Sequence, residues 1–171
     1  MKTAQLLKIL HTISWIVFIG LCIKTGIILT TYFISISKPE IASNLYAGLN
    51  LSEYYNYDFL QYSFLVCYKV VLFAIEAYIA YLVISLLKDL NLSKPFNIKV
   101  QTLMQKISYS IFYLWILALL HNTHMQFIGK KYNFELSLFS SDFVFLAGII
   151  FIFAQIVKRG IQIQSENDLT I

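Results

Sequence analysis

Four long apolar stretches dominate the chain, roughly Ile9–Ile36, Phe64–Leu87, Ile107–Phe127 and Phe143–Val157. At about 1.5 Å rise per residue, most of them can cross a hydrocarbon core of ~30 Å. The fourth is the shortest and is expected to continue toward Arg159. The pattern predicts an all-α, polytopic membrane protein, a single four-helix transmembrane domain over residues 1–171 with spans near 9–36, 64–87, 107–127 and 142–159. The first run follows Lys2 and Lys8 as a signal peptide would, but it is far longer than a 7–15-residue signal core and no A-x-A-like site closes it, so a retained helix is expected.

The polar stretches between the helices differ in kind. Ser37–Tyr62 is the longest and is dense in aromatics, Tyr46, Tyr54, Tyr55, Tyr57, Phe59 and Tyr62. Tyrosine rings favour the headgroup zone, so this loop is predicted to lie on the membrane surface and to carry a short interfacial helix, with a ligand-reading loop as the alternative. Ser140-Ser141-Asp142 before Phe143 reads as the N-cap of the fourth helix.

Composition agrees with this class: 58% of the 171 residues are hydrophobic and 13% charged, about half the charged share of a soluble domain. Four helices in so short a chain leave no room for a separate soluble domain, so no enzyme is expected. No Gly-rich phosphate loop, G-x-S-x-G elbow, H-E-x-x-H or C-x-x-C is present, and no cofactor or metal is predicted. Trp15 and Trp115 read as packing or interface residues. Cys22 and Cys67 read as two buried small apolar residues rather than a disulfide.

Lys and Arg flanking the spans set the threading. Lys2, Lys8, Lys88, Lys94, Lys99, Lys106, Lys158 and Arg159 fall on one side, eight in all, against Lys38, Lys130 and Lys131 on the other. Both termini and the middle loop are therefore expected to be cytoplasmic, N-in and C-in.

Lys24, Lys69 and Glu76 are placed inside apolar runs, where a charge costs roughly 2.5–3.5 kcal/mol and needs a partner or a task. Lys69 and Glu76 are two turns apart on one face of the second helix, beside the small residues Ala77 and Ala80 that mark a packing side. Lys24 and Glu76 come to similar depth, which predicts an ion pair between the first two helices. Lys69 is expected higher, snorkelling toward the outer headgroups. These charges are either a structural tether, a proton or ion relay or polar pocket, or a contact with another membrane subunit. An outer polar cluster comprises His121 and His124, at i, i+3 spacing on the third helix, with Asp142 at the same level. Two His and a carboxylate can hold a transition metal, but H-x-x-H lacks a third dedicated ligand, and hydrogen-bonded interfacial histidines are the favoured interpretation.

The middle loop and the tail carry a resemblance. Ser93-Lys94-Pro95-Phe96-Asn97, followed by Val100, Leu103 and Ile107, resembles the "gkPFt" loop of a bacterial family of four-helix membrane proteins of unknown function, the YoaS-like group. Phe153-Ala154-Gln155-Ile156, then Gly160 and Glu166-Asn167-Asp168-Leu169-Thr170-Ile171, resembles its closing E-N-D/E-L-T-V segment. Ser93 stands where Gly is usual and Asn97 where Thr is usual. Members of that group have no established biochemical activity, and the resemblance implies a membrane partner for a small cytoplasmic helix-turn-helix regulator. Pro95 cannot continue the second helix, which makes Pro95-Phe96 a defined turn with Phe96 free to dock. After Gly160 the tail, Ile161 to Gln164, either extends the fourth helix or pairs as a strand, and it presents Glu166, Asn167 and Asp168 either to a partner or, as an internal clasp, to the basic middle loop around Lys94 and Lys99.

Two functions stay open from the sequence. One is a non-enzymatic inner-membrane interaction or regulatory protein, whose Pro95-Phe96 loop and Glu166–Ile171 tail bind a cytoplasmic regulator or another membrane subunit. The other is a small transporter or channel component using Lys24, Lys69 and Glu76. The bilayer is an expected partner, direct nucleic-acid binding is not expected, and self-association is left open.

Overall fold

The computed structural model describes residues 3–90, 97–134, 136–140 and 143–168. Helix α1 spans Thr3–Ser37, a 3₁₀ turn follows at Pro39–Ser43, and α2 spans Ser52–Tyr57. The long helices α3 (Phe59–Asp89), α4 (Ile98–Tyr132) and α5 (Val144–Asp168) complete the fold, and there is no strand among the described residues. Four of these helices are long and apolar enough to cross a membrane, over Gln5–Ser37, Phe59–Asp89, Ile98–Tyr132 and Val144–Glu166. Their flanks expose large apolar side chains, such as Ile16 at 66%, Phe127 at 70% and Phe145 at 76%. That much apolar surface suits hydrocarbon and not water.

The helices outrun the apolar stretches because capping residues, not hydropathy, set their ends. The Asp58 carboxylate accepts the Leu60 N–H at 2.8 Å and starts α3. Asn97 does the same for Lys99 at 2.8 Å, so α4 begins at Ile98, well ahead of its apolar run. At the other end of α4, Asn133 turns left-handed at φ 58°, and the Phe134 N–H closes onto the Gly129 carbonyl at 2.9 Å. That is a Schellman closure, with Lys130 and Lys131 in the last turn facing the negative end of the dipole. The residues after Gly160 continue α5 as helix, which settles the choice between helix and strand.

The chain forms two compact units, whose boundary passes through α1, α3 and α4. The first takes Met1–Phe18, Tyr78–Tyr113 and Asp142–Ile171. Its core gathers Leu82, Ile107, Ile111 and Ala147. The Ser108 hydroxyl donates to the Ala147 carbonyl at 2.9 Å, fixing the start of α5 against α4. Lys99 and Asp89 tie the facing ends of α4 and α3 at 3.0 Å, with Lys99 largely in solvent, so the pair contributes little.

The second unit takes Ile19–Ala77 and Leu114–Ser141. Here the structure departs from the surface loop expected over Ser37–Tyr62. Ala42, Leu45, Leu51 and Tyr54 are each at most 1% exposed and share a core with Ile28, Leu65 and Met125. The expected short helix is there as α2, but its aromatics pack on protein: Tyr54 meets Phe134 at 5.2 Å, and Tyr55 meets Tyr62 at 5.0 Å. Buried Tyr62 finds its partner in the Ser35 hydroxyl at 2.7 Å. Enough apolar side chains alternate with the polar ones for the loop to contribute to the core of this unit, and aromatic content alone does not distinguish that from headgroup contact. Cys22 and Cys67 also differ from expectation. Both are free and exposed on the flanks of their helices, where small thiols sit against lipid as easily as in a core.

Candidate functional site: a charged cavity lined by two inserted loops

Two connections of the second unit fold back along the helices that precede them. The Leu45 carbonyl accepts the Thr31 hydroxyl at 2.9 Å, six residues or about 9 Å inside the α1 C-terminus. The turn beyond it is closed by Leu45 N–H to the Leu49 carbonyl at 2.9 Å and Gly48 N–H to Asn44 Oδ1 at 3.1 Å. It needs left-handed backbone at both Ala47 (φ 47°) and Gly48 (φ 86°), a conformation that is free for glycine and costs alanine about 1–2 kcal/mol.

The second insertion follows α4. Asn122 grips the backbone of Phe139 from both sides: its Oδ1 accepts the Phe139 N–H at 2.8 Å, and its Nδ2 donates to the Phe139 carbonyl at 2.7 Å. Asn122 lies ten residues, or about 15 Å, inside the end of α4 at Tyr132, within the apolar run. Irregular backbone at such depth is tolerated only where protein buries it or where it lines a cavity.

Both conditions hold here. The tips of the two loops, at Tyr46–Leu49 and Ser137–Phe139, meet Lys24, Lys69, Phe73 and Glu76 around a cavity of about 510 Å³. All three intramembrane charges singled out in the sequence therefore share one space. Their arrangement differs from the expected one. Lys69 does not snorkel: it is 3% exposed and donates to the Ser137 carbonyl at 3.3 Å and hydroxyl at 3.1 Å, because the inserted loop brings oxygen to it. The Lys24–Glu76 ion pair does not close, and the Lys24 ammonium sits 3.7 Å from the Phe73 ring centroid. Phe73 is one turn from Glu76 on α3, so the ring takes the place that the carboxylate was expected to fill. Glu76, half-buried, makes no hydrogen bond among the described residues.

The histidines stand beside the cavity as packing groups. His121 is fully buried, edge-on to Phe139 at 5.2 Å and to Tyr68 at 6.0 Å, with its Nδ1 3.2 Å from Asn122 Oδ1. Its Nε2 has no hydrogen-bond partner among the described residues. His124 Nε2 is 2.8 Å from Gln61 Oε1. Asp142, Pro95 and Phe96 lie outside the described residues, as do Ser141 of the expected cap and the side chains of Asn167 and Asp168. Glu166 is exposed near the end of α5. Sequence reasoning passed over Asn122, although it stands between the two histidines it noted. An amide inside an apolar run needs partners, and that was the available signal.

A family model described as "Protein of unknown function (DUF2975)" matches residues 39–171. The chain belongs to this family. Within the DUF2975 match lie both inserted loops, Lys69, Glu76 and Asn122, as well as the middle-loop and tail motifs that carried the resemblance. Lys24, on α1, precedes it. No curated protein and no solved structure matches this DUF2975 chain.

Proposed function

We propose that this DUF2975 chain is a non-enzymatic, multi-pass protein of the bacterial cytoplasmic membrane that receives a small solute in its intramembrane cavity and reports occupancy to a cytoplasmic regulator or another membrane subunit. The observation that carries this reading is the insertion of two irregular loops around three charges. Broken backbone at membrane depth is where membrane proteins place solute sites. Helix α3 supplies two of the charges and continues unbroken to Asp89, so a shift at the cavity has a stiff element to move. The transport reading keeps its place for one reason, that the charges line a cavity instead of closing on each other. Accumulation of a solute in proteoliposomes separates it from a reporting role.

The threading that goes with this proposal rests on the eight-to-three distribution of Lys and Arg between the two sides. With Cys22 and Cys67 replaced by alanine, cysteines at Asn56 and Asn133 are expected to react with an impermeant thiol reagent from outside. Those at Asn97 and Ser165 react only after permeabilisation. Labelling of Asn97 from outside reverses the orientation.

The partner is assigned to the tail, because the helical end of α5 presents polar groups there. Acidic groups gain nothing from a negative cytoplasmic leaflet, so the acidic tail is better used against a basic surface, that of a partner protein or of the chain's own middle loop. Deleting Glu166–Ile171 is expected to leave insertion and detergent-solution folding intact while removing cytoplasmic partners from crosslinked pull-downs. Retention of every partner by the folded, truncated protein counts against the assignment.

A further inference from the structure

The polar groups around the cavity are unequally satisfied, and the imbalance specifies an occupant. Lys69 has both oxygens of Ser137. The Lys24 ammonium has only ring faces, Phe73 at 3.7 Å and Tyr46 at 5.9 Å, so its three N–H donors meet no oxygen among the described residues. Glu76 receives no donor there either. Two ammonium groups and one carboxylate leave an excess of one positive charge, in surroundings where an uncompensated charge is expensive. Lys24 and Lys69 line the same cavity, where an anion placed between them relieves the repulsion of like charges.

Charge count then narrows the chemistry. A cation meets two lysines, a zwitterion leaves the excess in place, and a phosphate dianion overshoots it. A monoanion brings the cavity to neutrality. The rest of the lining mixes loop backbone and the Ser137 hydroxyl with Ile28, Tyr46, Leu49, Phe73, Leu138 and Phe139, and these side chains offer one face to an apolar, ring-sized body. Glu76 asks for a donor away from the anionic end. The volume, about 510 Å³, falls within the ~300–1,000 Å³ of small-molecule pockets.

We propose that the cavity binds a small monocarboxylic acid with an apolar, aromatic-sized body and one neutral hydrogen-bond donor, its carboxylate between Lys24 and Lys69 and its donor on Glu76. This rests on the cavity being the working site. The test is isothermal titration calorimetry on the full chain in detergent, with 4-hydroxyphenylacetate, phenylacetate, tyrosol and tyramine as probes. 4-Hydroxyphenylacetate is expected to bind saturably. Phenylacetate, lacking the donor, binds at least roughly tenfold more weakly, because Glu76 is left unpaired. Tyrosol and tyramine, lacking the carboxylate, do not bind. Lys24→Met abolishes binding, Lys24→Arg retains it, and Glu76→Met removes the preference for the hydroxyl. Binding of tyramine or tyrosol as tight as that of the acid overturns the proposal, and so does full affinity in a folded Lys24→Met variant. Water access is read separately by labelling a Leu49→Cys variant of a protein whose native cysteines are replaced. Labelling without binding of any probe overturns the ligand class and leaves the cavity standing. Absence of both overturns the cavity as a site.

Discussion

Asn122→Leu is expected to be among the most damaging single substitutions in this protein, although the side chain touches neither lysine nor the glutamate. The leucine matches asparagine roughly in volume but removes both hydrogen bonds to Phe139, at 2.8 and 2.7 Å. A part-buried backbone N–H and a carbonyl are then left without their side-chain partner. Each such group costs ~1–3 kcal/mol, so a loss of about 2–6 kcal/mol is expected, or roughly 4–20 °C in melting temperature for a chain of this size. Asn122→Asp keeps the acceptor for the Phe139 N–H, loses the donor to its carbonyl and adds a charge, so it does not rescue. Thermal unfolding in detergent checks the stability, and limited proteolysis within 133–140 checks the loop. Wild-type melting and protection in Asn122→Leu would show that the loop is held by its apolar side chains alone.

How far the sequence reaches into this site can be followed residue by residue. Hydropathy locates the four long helices because a membrane span is a local property, a run of apolar residues read without knowledge of any partner. Lys24, Lys69 and Glu76 stand out for the same reason, since charge inside such a run is costly whatever surrounds it. Their partners are another matter. The oxygens that Lys69 finds belong to Ser137, 68 positions away, and nothing near either residue announces the contact. The predicted Lys24–Glu76 pair follows from depth along two helices, but depth fixes only one coordinate. The rotation of the helices and the intervening Phe73 decide the rest. The loops are the least legible part. The aromatics of Ser37–Tyr62 suit a headgroup zone as well as a core, 133–140 reads as a short polar connection, and only the buried Leu45, Leu51 and Tyr54 and the partly buried Phe139 show that the two fold inward.

Gly129 carries the second large effect, because it is where the turn into the inserted loop presses on α4. A β-carbon added there collides with the Leu136 side chain and comes within 3.2 Å of the Tyr54 hydroxyl and 3.4 Å of the Phe134 carbonyl. Gly129→Ala sets a gain in helix propensity of up to ~1 kcal/mol against that contact, and the far end of Leu136 can yield. Gly129→Val adds two branches that press also on the tyrosine and on the backbone of the Schellman closure, and it is expected to cost about 1–3 kcal/mol. The assignment to Leu136 is checked by a double-mutant cycle. Leu136→Ala removes the colliding group, so Gly129→Ala on that background should be more favourable than on wild type by roughly 0.5–1 kcal/mol. Additive melting-temperature shifts in the two alanine variants would place the constraint on the Tyr54 hydroxyl instead. Tyr54→Phe, which removes only that oxygen, then becomes the variant that restores the valine protein. In either case the tight approach at Gly129 couples the packing of α2 and the 133–140 loop to the end of α4, so the loop that supplies Ser137 to Lys69 is held at both ends, by Gly129 at its start and by Asn122 near its finish.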